Sequence, residues 1–286
     1  MIKRTAVIWS ATGMLLTLIF SGPAIGVQSY DAQTLMQLSG FDDQLEVLPK
    51  AVNDSFKQLM IEDGVVEPFE QQDIPQLQHA VASVFETQSL RNTVLNEMRD
   101  TLSANEIRLL VEFYSSDRGR SLREAELNNG ILEHSGRFQQ WYADTGFYGL
   151  DDDRQLALKD LESAMQATEG AVDAMIGMQV AMQVSLSPAL PAEQRLSPQE
   201  LLSAAQGQRM ELTHAYRKSS LATIAFVFKD QPIEAIQAYT DVLQTEAGQN
   251  FVSALNTGLT KGLFNAAEQL GVSIQEILVG RVGQGA

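Results

Sequence analysis

Apolar residues recur at helical spacing along nearly the whole chain after residue 30. One such run holds Ile107, Leu110, Val111 and Tyr114, at positions i, i+3, i+4 and i+7, so one helix face carries all four side chains. No segment alternates apolar and polar residues long enough to predict a strand, and no Asn-Gly or Asp-Gly pair joins two strand-like runs. The pattern therefore predicts an all-α fold, a multi-helix array.

Three short segments carry the signal of a helix start, with Ser followed three residues later by Glu. In this arrangement the Ser oxygen caps the first turn, and the Glu side chain reaches back to the Ser backbone. The three segments are 103–106, 197–200 and 273–276. Pro198 strengthens the second, because Pro is well tolerated in the first position of a helix.

The N-terminal sequence predicts a secretory signal peptide over residues 1–26. Lys3 and Arg4 precede an apolar run at 6–20, and Ala24-Ile25-Gly26 offers a cleavage site between small residues. A retained membrane anchor is the alternative, but the run is short for a full span. Because no Cys follows the run, lipoprotein anchoring is excluded. We therefore expect a periplasmic protein without a stable membrane anchor after cleavage.

The composition excludes several kinds of function. The chain has 286 residues and a formal net charge of −16, which disfavours binding to nucleic acid or to anionic lipid. It contains no Cys, so disulfides, thiolate zinc sites and a Cys nucleophile are excluded. A chain of this length can bury a full hydrophobic core without such cross-links.

The chain also has the pattern of a tandem duplication, with corresponding residues 129 positions apart. The first half would cover residues 30–148, the second half 152–279, and a flexible tail 280–286. The matched landmarks are Gly119 with Gly248, Ile107 with Ile236, Tyr114 with Leu243, and Met36-Gln37 with Met165-Gln166. Chance matches between helical patterns are the alternative. If the duplication is real, both glycines should begin a helix beside a neighbouring backbone.

The stretch LSANEIRLLVEFYSSDRGRSLREAE at 102–126 resembles the central motif of a family called domain of unknown function 2059. The matching positions include Glu106, Leu110, Phe113, Tyr114, Gly119 and Leu122. The second half fits loosely, since Val242-Leu243 replaces Phe-Tyr while Gly248 is kept. The resemblance implies a small exported helical protein, and it implies no assigned activity. In physical terms, we interpret the motif as a corner between two helices.

The sequence shows no arrangement typical of a catalytic or metal site. His79, His134 and His214 have no spacing that suits a metal, and no Gly-x-Ser-x-Gly segment supports a serine hydrolase. The acidic run 151–153 lacks the turn Gly and the spacing of a calcium loop, which favours a helix cap. We therefore expect no enzyme activity, cofactor or metal.

Two apolar features are candidates for binding. Met175, Met178 and Met182 form a stripe at i, i+3 and i+7, which could bind Cu(I) but is more typical of core packing or an adaptable groove. Trp141 lies in an aromatic cluster, with further rings at 142, 147 and 148. This cluster would either fill the space between the two halves or form an exposed anchor for a partner.

These observations predict a non-enzymatic envelope interaction module that binds a partner protein through an apolar helix groove. The alternative is a carrier of a small apolar ligand or lipid, held between the two halves. An exposed apolar surface would favour the interaction module, and an enclosed cavity would favour the carrier. A cleft with two close carboxylates would favour an enzyme.

Overall fold

The computed structural model describes residues 29–62, 69–129, 136–187 and 195–284. The predicted signal peptide and His134 lie outside these ranges. The helices before residue 150 are α1 Ala32–Leu38, α2 Phe41–Glu62, α3 Ile74–Val84, α4 Thr87–Thr101, α5 Ala104–Ser115, α6 Asp117–Asn129 and α7 Gly136–Asp144. Those after it are α8 Asp152–Ala164, α9 Ala167–Leu186, α10 Pro198–Gln206, α11 Arg209–Val227, α12 Ile233–Gln244 and α13 Glu246–Gln284. The described residues contain no strand, so the all-α prediction is confirmed.

Local capping explains where several helices begin. The Ser103 hydroxyl accepts a hydrogen bond from the backbone N–H of Glu106, and the Glu106 carboxylate accepts one from the backbone N–H of Ser103. Ser197 and Glu200 form the same pair of hydrogen bonds. The cap predicted at Ser273 is wrong, because this residue lies inside α13. There the apolar side of the helix continues without a break, and its packing outweighs a local capping signal.

Helices α1–α6 and α8–α13 repeat one another in the way they pack. Within the first set, α1 packs on α2, α4 and α5, α2 packs on α3 and α4, and α5 packs on α6. Within the second set, α8 packs on α9, α11 and α12, α9 packs on α10 and α11, and α12 packs on α13. The same helix pairs therefore recur in the same order, which supports the duplication hypothesis.

The last helix of each set also packs against the other set, and these contacts are reciprocal. Helix α6 of the first half packs on α11 and α12, and the corresponding α13 packs on α4 and α5. This is the pattern of contacts that a two-fold axis generates between identical subunits. Helix α13 has 39 residues and α6 has 13, so α13 reaches further and also covers α3. It continues to Gln284, through most of the segment where we expected a flexible tail.

Gly119 lies in the first turn of α6, directly behind the end of α5. A Cβ atom at this position would overlap the carbonyl oxygen of Phe113 and lie 2.7 Å from the Cα atom of Tyr114. The Ser116 hydroxyl joins the two helices, since it donates to the Phe113 carbonyl at 2.6 Å and accepts from the Gly119 amide at 3.1 Å. The helices can therefore meet this closely only because Gly has no side chain.

Gly248 occupies the corresponding corner between α12 and α13. A Cβ atom here would overlap the carbonyl oxygen of Val242 and lie 2.5 Å from the Cα atom of Leu243. The Thr245 hydroxyl donates to the Val242 carbonyl at 2.6 Å and accepts from the Gly248 amide at 3.1 Å. Both corners thus have one geometry at a separation of 129 residues.

The first corner of each half, by contrast, does not recur at a separation of 129 residues. Gly40, with φ of +78°, follows the end of α1, and Gln166, with φ of +49°, follows the end of α8. These two residues are 126 positions apart, so the structure does not align Met36 with Met165. That match is a coincidence of helical periodicity, because Met36 is a core residue of α1 and Met165 ends α8.

Substitution of either corner glycine by Ala should destabilise the fold, since the new Cβ atom meets backbone atoms that cannot move alone. We expect a loss of roughly 2 kcal/mol or more for Val and a smaller loss for Ala at both sites. Gly280→Ala is the matched control, because open space surrounds that helical position. It should be neutral or stabilising by up to about 1 kcal/mol. Chemical denaturation measures the free energy of unfolding of each variant. Corner variants as stable as wild type would contradict the close helix approach described at these two glycines.

Candidate functional site

The residues of the family-like motif are structural parts of the first half. Leu110 and Leu122 are fully buried in the main core, and Tyr114 is buried beside them. Glu106 caps α5 and also accepts a hydrogen bond from the Asn250 amide at 2.6 Å, across the junction of the two halves. The hydrogen bonds from Ser103 lower the pKa of Glu106. The motif therefore builds a corner and its contacts.

Behind the motif, the two halves meet through aromatic rings. The hydroxyls of Tyr114 and Tyr239 are 3.2 Å apart and hydrogen-bonded, and both side chains are buried. Phe113 stacks on Tyr239, with ring centroids 5.8 Å apart, and Phe251 meets Tyr114 edge-on at 6.1 Å. Side chains therefore fill this part of the junction, where the carrier hypothesis needs an apolar cavity.

A charged group lies next to this aromatic junction. Arg123 forms an ion pair with Asp43, its guanidinium lies against Gly40, and its Nη1 is 3.9 Å from Glu126 Oε2. The side chain of Glu126 is only 14% exposed, and burial raises its pKa to about 7 although Arg123 and Tyr239 oppose the shift. No sequence pattern indicates this group, because its members come from three helices of both halves.

The raised pKa of Glu126 predicts a specific pH dependence of stability. The folded chain binds the Glu126 proton more tightly than the unfolded chain does. The contribution of this group to the free energy of unfolding therefore falls as pH rises from about 4.5 to about 7. Glu126→Gln has no such loss, and its stability relative to wild type should increase over that window, by about 3 kcal/mol. Urea unfolding at several pH values tests this. Glu112→Gln, at an exposed ion pair, is the control and should show no such trend.

Two of the three stripe residues, Met175 and Met178, flank a small core and do not form it. On α9 the buried face is made by Val172, Ile176 and Val180, while Met175 and Met178 are half-buried beside it. The side chain of Met182 lies outside the described residues. β-Branched residues at i, i+4 and i+8 thus take the position that packs on α10 and α11.

Trp141 lies in a separate place, at the contact between α7 and α11. Its ring packs on Phe226 with centroids 5.4 Å apart, and Phe138 meets the same Phe226 ring edge-on. Tyr142 and Tyr148 remain exposed nearby. The predicted cluster is therefore divided: Trp141 packs α7 on the second half, Phe147 is buried in the main core, and the two tyrosines face solvent.

Beside these rings is an open recess of about 300 Å³, which we call the α7 recess. Trp141 and Phe226 form its apolar wall, and Arg137, Lys229 and Asp144 supply charged groups. The Lys229 ammonium lies 4.4 Å from the centroid of the Phe226 ring, a cation–π geometry. Arg137 donates to a backbone carbonyl of α6 at 3.3 Å. Phe226 itself is only 2% exposed, and the Lys229 ammonium is paired with Asp230 at 3.1 Å. The recess therefore offers a partner the half-buried Trp141 ring and the exposed Arg137.

The other candidate groups give no catalytic arrangement. Within the described ranges, no three His, Asp or Glu side chains converge as metal ligands, and His79 and His214 are exposed. Asp151 caps α8 by accepting from the Arg154 amide at 2.9 Å, which is the role favoured for the acidic run. Among the residues that the structure describes, no helix combines the length and apolar character needed to cross a bilayer.

Comparison of the chain with family models, with curated proteins and with solved structures finds no match. The resemblance of residues 102–126 to domain of unknown function 2059 therefore stays a prediction.

Proposed function

We propose that this chain is an exported interaction module, not an enzyme, which binds a partner protein at the α7 recess. The observation that carries the proposal is the open recess beside the half-buried ring of Trp141, with two exposed tyrosines close to it in the sequence. Aromatic residues and Arg dominate the energy of protein interfaces, because large rigid side chains bury much surface at little entropic cost. Arg137 provides such a group at the edge of the recess.

The shape of the recess favours a protein partner over a small ligand. Sites for small molecules bury most of the ligand surface, and they are enclosed. The α7 recess is open and its volume of about 300 Å³ suits one or two side chains. The exposed guanidinium of Arg137 favours an aromatic or acidic anchor residue on the partner. The carrier alternative receives no such support, since rings fill the described junction of the halves.

Site-specific photo-crosslinking in cells that express the full chain tests this proposal. A benzophenone amino acid at position 148 or 142 should give a discrete protein adduct, because both tyrosines are exposed and lie within a few residues of the recess-lining Trp141 and Thr145. Trp141→Ala in the same background should lower the adduct yield at least about tenfold, since loss of an aromatic anchor costs about 2 kcal/mol. Mass spectrometry identifies the adduct.

The matched control places the same group at Leu109, an exposed apolar residue on α5. Equal adducts at positions 109 and 148 would mean that the recess is not the docking site. Adducts of lipid or small molecules alone at position 148 would favour the carrier. Thermal unfolding of the Trp141→Ala protein shows whether its fold is intact, so that lost binding is separated from lost structure.

A further inference from the structure

Helix α9 separates two hydrophobic cores, because its two sides pack on different parts of the chain. One side faces α13: Gly170 lies against the Asn256 side chain, and a Cβ atom at Gly177 would lie 3.2 Å from the Thr260 Cγ2. The other side belongs to the small core, whose members are Val172, Ile176, Val180, Leu201 and Ala205. This small core is separate from the main core of the molecule.

Helix α11 is divided between the same two cores. Every residue at 220–227 is buried, and most of the apolar side chains there belong to the main core. Residues 209–219 are half-buried or exposed, and Leu212 and Tyr216 among them pack against the small core. The change falls at the serine pair 219–220, and serine is a weak helix former because its hydroxyl competes for backbone hydrogen bonds.

The residues that cover the small core are held by few contacts. Helix α10 packs mainly on α9, and only two of its described side chains are buried. Two ion pairs join the beginning of α11 to α9, Arg209 with Asp173 at 2.6 Å and Arg217 with Glu169 at 2.5 Å. All four side chains are at least one-third exposed, so water can replace these contacts at little cost. We call residues 198–218 the α10 cover.

We propose that the α10 cover opens from α9 as one unit while the main core stays folded. In the described chain, opening breaks the small core and the two exposed ion pairs, and it leaves the contact between α9 and α13 in place. Parts of a fold that bury few apolar groups open at a lower free energy than the whole.

The open form has an apolar stripe that the closed form hides. Val172, Ile176 and Val180 follow one another at i, i+4 and i+8, so opening uncovers all three along one side of α9. The α10 cover is therefore a conformational device that exposes this stripe without unfolding the chain. The α7 recess lies outside residues 198–218, so the opening is independent of the proposed function.

Hydrogen exchange of the purified full chain, measured by mass spectrometry, tests the proposal. After correction for intrinsic rates, wild-type peptides from 198–218 should exchange at least about tenfold faster than peptides from α12, because they need only the local opening. Leu158→Ala is the deciding variant, since Leu158 is fully buried in the main core. It should accelerate exchange of α12 at least about tenfold and leave residues 198–218 unchanged, because the main core is intact in both the closed and the open form.

Leu201→Ala is the matched change in the small core. It should accelerate exchange of residues 198–218 at least about tenfold, since the closed form buries this side chain and the open form does not. Circular dichroism checks that each variant is folded. If Leu158→Ala does not fold, Ile236→Val makes the same comparison with a smaller acceleration of α12, about threefold, because it removes one methyl group from the main core.

Three results would overturn the proposal. Equal protection of residues 198–218 and α12 in wild type would mean that the chain opens as one unit. Equal acceleration of both regions by Leu158→Ala or Ile236→Val would mean the same. Residues 198–218 without measurable protection would mean that the closed form is not the populated one.

Discussion

Helix α13 lies between α4 of the first half and α9 of the second, and it contacts both along much of its length. The contact is close because small residues form it. Gly258 of α13 faces the backbone of Val94 on α4, where a Cβ atom would lie only 2.7 Å from the Val94 Cα. On the opposite side, Gly170 of α9 faces the side chain of Asn256. Dispersion forces fall steeply with distance, so these close approaches hold the two halves as one core.

Local sequence patterns were sufficient to predict the fold class and two of the three proposed helix starts, since both depend on residues close together in the chain. Ser103 and Ser197 are caps in the structure because their partners are three residues away. The same signal failed at Ser273, where tertiary packing along α13 continues the helix. The match of Met36 with Met165 failed for a related reason: any two amphipathic helices share apolar positions, so a single match carries little information.

Less of the candidate site could be predicted, because its parts are distant in sequence. Trp141 was a candidate from its aromatic neighbours, yet Phe226, the other wall of the recess, lies on a helix of the other half. Glu126 gave no signal at all, since its raised pKa arises from burial that only the assembled fold produces. The contact between Tyr114 and Tyr239 could be partly anticipated from the sequence. Tyr114 was matched with Leu243, and Tyr239 lies one turn before Leu243 on the same face of α12.

Helices α6 and α13 correspond in their order of packing but differ in described length, 13 residues against 39. Helix α13 covers α3 and α4, whereas the second half is contacted by α7, which packs on α11 beside Trp141. In the first half, α3 and α4 belong to the main core, whereas α10 retains a separate small one. The proposed binding surface lies on α7, the described α-helix between the two sets, so the internal similarity of the halves gives it no counterpart.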